Sequence, residues 1–257
     1  GLVLEIQDKA GDEDWHVYSV DLDSGRTTDL TPMANVHAKI VGVSPGFPTE
    51  IVVGLNDRDP EYHDLYRIDV STADRTLVQR NDDFAELLVD DYYYSVRLRV
   101  RITPDGGSEM FALSDSESWQ PFMKVEMEDL MTTVPFGFDR RGKTFHLSDS
   151  RGRDTAAMAA IDLESETENV LAQDSRADVS HLMLHAVVND IQAVAFTFER
   201  KQWKVLDPDV AADMEYLRLV ADSDIEIAIR TLDDRWRIVA YLQDDGPLHY
   251  YRNDREP

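Results

Sequence analysis

The 257-residue sequence contains no cysteine. That absence removes disulfides, thiolate nucleophiles and cysteine-held metals from consideration. Positive charge is also scarce: 26 lysines and arginines stand against 51 acids, a net charge of −25. Such a field repels phosphates and anionic lipid, and no basic run interleaved with aromatics offsets it. Neither nucleic acid nor membrane is an expected partner. No run approaches the roughly 18 apolar residues of a membrane helix, while 42% hydrophobic residues suffice for a core. The first residue is Gly and no signal-like segment follows, so a truncated N-terminus and a cytoplasmic location are expected.

Helical periodicity is the next scarcity. Only 207–222, DPDVAADMEYLRLVAD, places Val210, Met214 and Leu217 on one face, with Asp207 as cap and Pro208 in the first turn. Elsewhere short apolar runs such as EIVVGL, VRLRVRI, QAVAFTF and RWRIVAYL alternate with turn chemistry such as Pro104-Asp105-Gly106-Gly107. Six of these runs end in an aspartate: Asp21, Asp69, Asp115, Asp162, Asp207 and Asp254, spaced 45 to 48 residues apart. A strand-rich period of about 46 lies between the WD and kelch repeats, both four-stranded propeller blades. The expected fold is therefore all-β: a β-propeller of about six four-stranded blades, forming one domain over 1–257, with one short helical insertion. Room for only two strands before Asp21, and none after Asp254, predicts incomplete end blades and an excerpt of a longer protein. Exposed strand edges would then favour homo-oligomer contacts.

Gly42-Val43-Ser44-Pro45-Gly46 fits the G-x-S-x-G nucleophile pattern. A proline after the serine deletes an oxyanion-hole N–H, and a strand follows where a helix should, so Ser44 reads as a turn residue. His181 and His185 have metal-ligand spacing only on a helix, and their surroundings read as strand. Tyr92, Tyr93 and Tyr94 read as packing residues. The segment 103–110, TPDGGSEM, lacks the closing Thr-Trp of a sialidase Asp box, which leaves a propeller glycosidase unsupported. No cofactor, metal or catalytic residue is expected.

The segments QDKAGDEDWHVYSVDLDSGRTTDLTP, VGLNDRDPEYHDLYRIDVSTADRTLV, RITPDGGSE and LSDSRGRDTAAMAAIDLES resemble the propeller domain of prolyl oligopeptidase family serine peptidases, in the acylaminoacyl and dipeptidyl peptidase branch. The resemblance spans essentially the whole chain, and LNDRDPEYHDLY and LSDSRGRDTAA are its most specific parts. It implies a noncatalytic propeller, inactive alone, that packs against an α/β-hydrolase domain missing from this sequence and gates short peptides. A self-standing TolB-like or WD-like binding propeller is the alternative. Loops joining second to third strands would form the interdomain or substrate face, carrying Asp57, Arg58, Asp59, Asp149, Arg151, Arg153 and Asp154. The competing reading is that these charges cap turns and bridge neighbouring blades.

Overall fold

A computed structural model describes residues 1–114 and 118–255. The chain packs as two compact units, 1–127 and 128–257. Each consists of three antiparallel meanders.

In the first unit the sheets are β1 (Leu2–Gln7), β2 (His16–Asp21) and β3 (Thr27–Asp29); β4 (Ala38–Val43), β5 (Glu50–Asp59), β6 (Tyr62–Asp69) and β7 (Arg75–Gln79); and β8 (Glu86–Val89), β9 (Val96–Ile102), β10 (Ser108–Leu113) and β11 (Trp119–Val125). Middle strands are sandwiched on both faces and so read as continuous apolar runs: Ile51, Val52, Val53 and Leu55 of β5 are all buried. Val17, Ala38, Ile51, Val53 and Ile68 join the first two sheets in one cluster. Val52, Leu65, Leu87 and Tyr94 join the second and third. Each such aliphatic side chain contributes about 1.5–3 kcal/mol on burial.

In the second unit they are β12 (Val134–Phe138), β13 (Thr144–Asp149), β14 (Ala157–Asp162) and β15 (Glu168–Ala172); β16 (Val179–Leu184), β17 (Ile191–Phe198) and β18 (Arg200–Val205); and β19 (Asp224–Arg230), β20 (Trp236–Leu242) and β21 (His249–Asp254). Met158, Ala172, Val194 and Phe196 cement the first pair of these sheets. Between β18 and β19 the chain makes a 3₁₀ turn, Pro208–Val210, and helix α1, Ala211–Val220. Asp207 accepts the Asp209 N–H at 3.0 Å, as a cap should. Val210, Met214 and Leu217 pack on Trp203, Ile225 and Val239.

Six meanders in sequence are the blade units of an all-β propeller. The register follows the aspartates: Asp21, Asp69, Asp162 and Asp254 end β2, β6, β14 and β21, and Asp207 lies two residues beyond β18. Asp115 falls outside the described residues. Strand β1 thus holds a second-strand place, and the first and last sheets are three-stranded, as expected. The fifth sheet differs from expectation. It too has three strands, because the helical segment stands where a fourth would lie instead of adding to a complete blade. The proline and the helical spacing of its apolar residues explain the substitution.

The aspartates recur for a local reason. Asp21 accepts the Ser24 N–H at 2.7 Å, Asp69 the Ser71 N–H at 2.8 Å, and Asp162 the Ser165 N–H at 2.8 Å. Four residues on, Gly25, Ala73 and Glu166 adopt φ of 71°, 63° and 55° and donate back to the aspartate carbonyl. The same corner closes 90–95 around Asp90, with Tyr94 at φ 58°.

Candidate functional site

Of the seven charges singled out in the sequence, Asp57, Arg58 and Asp59 close β5 in the first unit; in the second, Asp149 closes β13 and Arg151, Arg153 and Asp154 lie on the β13–β14 connection. In the first unit β5 and β6 run long, closing with Asp59 opposite Tyr62. Arg58 forks onto the Asp64 carboxylate at 2.8 and 2.9 Å, donates to the Asn81 carbonyl at 2.6 Å and meets Asp82 at 3.0 Å. Burial alone would raise the Asp64 carboxyl; the guanidinium and the Asn81 N–H override it and hold it below its ordinary value. Asp57 pairs with Arg75 at 2.9 Å, and Arg75 lies over the Tyr66 ring. Asp59 caps its own turn through the Glu61 N–H at 3.0 Å.

The second unit repeats the arrangement with different residues. Asp149 is fully buried and accepts from Arg151 Nε at 2.9 Å and Nη2 at 3.1 Å, and from Arg153 Nη1 at 2.9 Å. Glu168 closes the knot at 2.5 Å from Arg153. Two cations meet two anions, so the cluster is locally neutral. The Asp149 carboxyl, which burial would raise, is likewise held low. Of the seven, Asp57, Arg58, Asp149, Arg151 and Arg153 engage intramolecular ion partners and Asp59 a turn, an arrangement that stiffens both connections. Asp154 is exposed, and Asp59 is half-buried in its own turn.

Other motifs resolve simply. The Ser44 Oγ accepts the Gly46 N–H at 3.1 Å in the β4–β5 turn, and its own N–H goes to the Tyr94 hydroxyl at 2.9 Å. His181 on β16 meets Glu226 at 3.1 Å. His185 takes the place an aspartate holds in the other corners, its Nδ1 accepting the Val187 N–H at 3.2 Å while Asn189 adopts φ 58°. Tyr94 is buried, and Tyr92 and Tyr93 meet edge to face at 4.8 Å. Of the 103–110 segment, 103–107 form the β9–β10 turn and 108–110 begin β10. A Cβ on Gly107 there would come within 2.5 Å of the Val125 carbonyl, so the position admits no side chain.

Sequence reasoning missed one cluster. Arg237, fully buried on β20, reaches Asp213 at 3.0 Å and Asp234 at 3.3 Å; Arg230 and Arg255 also converge on Asp234. The Arg230 and Arg237 guanidiniums hold that carboxyl at about 2, against the upward push of its burial. Arg230, Asp234 and Arg237 are near neighbours around the β19–β20 turn, but Asp213 and Arg255 lie well to either side, so no local signal marks the cluster as a whole.

No protein-family model matches the chain. It is 41% identical over 253 residues to dipeptidyl aminopeptidase BIII of Pseudoxanthomonas mexicana, covering 98% of this chain and 37% of that protein. Dipeptidyl peptidase family member 6 of Caenorhabditis elegans is 21% identical, over 97% of this chain and 36% of its own length. The chain thus spans little more than a third of the curated relatives it matches. A prolyl endopeptidase structure shares the fold at a TM-score of 0.58 and 11% identity, over 98% of this chain and 39% of that one. A puromycin-hydrolysing peptidase of Mycobacterium tuberculosis does so at 0.57 and 12%, over 98% and 42%. Blade-like meanders in an unbroken series, and a relative sharing two residues in five along 98% of this chain, make it a β-propeller similar to those of prolyl oligopeptidase family peptidases.

Proposed function

We propose that the chain is the noncatalytic propeller of a dipeptidyl aminopeptidase, packing against a serine hydrolase domain and limiting entry to short peptides. The observation that carries this reading is the 41% identity to dipeptidyl aminopeptidase BIII along nearly the full chain. Two features of the described residues are in keeping with it. The G-x-S-x-G serine is tied into a turn, and the charged β5–β6 and β13–β14 connections are braced by their own ion pairs. Stiff connections suit a surface that must keep its shape while a neighbour docks and substrates pass. On this reading Asp59 and Asp154 meet the hydrolase domain or the charged ends of peptides.

The test is to exchange this chain for the matching segment of dipeptidyl aminopeptidase BIII. The exchanged enzyme should release p-nitroaniline from dipeptidyl p-nitroanilides, whereas the 257-residue chain alone should release none. Comparable turnover by the isolated chain, or a folded but silent exchange enzyme, would overturn the proposal.

A further inference from the structure

Strands β7, β11 and β15 each complete a sheet by pairing with the strand before them. Strand β18 has no such partner, because the chain leaves it through the 3₁₀ turn and α1. Which backbone groups face the open edge follows from the ladder. The Leu206 N–H donates to the Gln192 carbonyl at 2.8 Å, so Lys204 and Gln202 point their backbone groups toward β17. Trp203 and Lys201 point theirs away. The Trp203 carbonyl bears this out by accepting from the Arg218 guanidinium at 2.5 Å.

Helix α1 covers only the far end of this edge, where Met214 and Leu217 pack on Trp203. Alongside residues 200–203 a groove of about 830 Å³ remains, its opposite wall formed by 218–224. The chemistry of that wall is uneven. Arg200 is neutralised by Asp224 at 2.9 Å and Lys201 by Glu226 at 2.5 Å. Asp222, fully exposed, also reaches Arg200 at 3.6 Å; Arg218 donates to the Trp203 carbonyl and forms no carboxylate pair among the described residues, Leu219 is 81% exposed, and the Ser223 hydroxyl is buried without a hydrogen-bond partner.

We propose that this groove receives an extended segment of a partner polypeptide as the missing fourth strand. Arg218 would exchange the Trp203 carbonyl for a carboxylate of the segment, whose backbone would pair with Lys201 and Trp203 while apolar side chains rest on Leu219 and Val220. Main-chain pairing at an open edge supplies affinity, and alternate side chains supply specificity. The net charge of −25 opposes acidic partners at a distance, so a single well-placed carboxylate among apolar residues suits the groove better than an acidic run. The inference stands apart from the peptidase reading and survives its failure.

The probe is a labelled Ac-VTVEVT-NH2 peptide, titrated onto the 257-residue protein by fluorescence anisotropy beside a version N-methylated at alternate residues. Saturable binding is expected, weakened at least about tenfold by N-methylation or by Arg218→Glu. Amide exchange at Lys201 and Trp203 should slow on binding. Should Arg218→Glu lower the melting temperature, Arg218→Gln replaces it. Equal affinity for the N-methylated peptide, binding indifferent to the Arg218 change, or no saturation at millimolar peptide would overturn the proposal.

Discussion

Burial acts in opposite senses on the carboxylates and imidazoles of this chain. Asp64, Asp149 and Asp234 are buried as anions because guanidiniums meet them, and their carboxyls stay charged below the ordinary range. His63 has no such company. Its Nε2 is buried without a partner, and desolvation, with Lys39 and His37 nearby, lowers its pKa from 6.5 to about 4. Burial also lowers His146. The unfolded chain therefore takes up the His63 proton near pH 6.5 while the folded chain refuses it until about 4. Stability present above pH 6.5 is lost as pH falls through that window. The paired aspartates keep their contribution until more acidic conditions, so the two effects separate. His63 alone should remove roughly 3 kcal/mol between pH 7 and 4, and thermal melts of His63→Gln should show a flatter profile there. An unchanged slope would contradict the assignment. Nothing in the sequence distinguishes His63 from His37, because desolvation depends on which strands close over a ring.

At the scale of the element, the corner after the third strand explains why an aspartate mark was legible at all. Its carboxylate satisfies turn N–H groups that would otherwise be unpaired. Its fifth residue must take a left-handed conformation, which glycine adopts freely and other residues resist by about 1 kcal/mol. Gly25 obeys this preference; Ala73 and Glu166 do not. Ala73→Gly and Glu166→Gly should each raise stability by up to about 1 kcal/mol, measured as urea midpoints, with Gly25→Ala lowering it. A loss in either glycine variant would show that the turn is held by something else. Helix α1 was legible from spacing and capping, but its replacement of a strand was not. Sequence tells how a segment curls, whereas its place in a sheet depends on the neighbours that Met214 and Leu217 find.

Across the whole molecule, 51 acids against 26 bases leave a self-repelling field. Raising salt from about 0.02 to 1 M shortens screening to about 3 Å. Repulsion among the surplus acids is long-ranged and should weaken more than the short ion pairs, so the melting temperature is expected to rise with sodium chloride; a fall would show that the pairs dominate. The fold was readable because one spacing is repeated and its mark has a mechanical job. The candidate face was readable only as positions: Arg58 finding Asp64, or Arg153 finding Glu168, depends on strand register. The corners themselves carry a last implication. Since 21–26, 69–74 and 162–167 each close upon their own first side chain, they behave as interchangeable joints, and a peptide cassette cut from one can be transplanted to another while the flanking ladders keep their alignment.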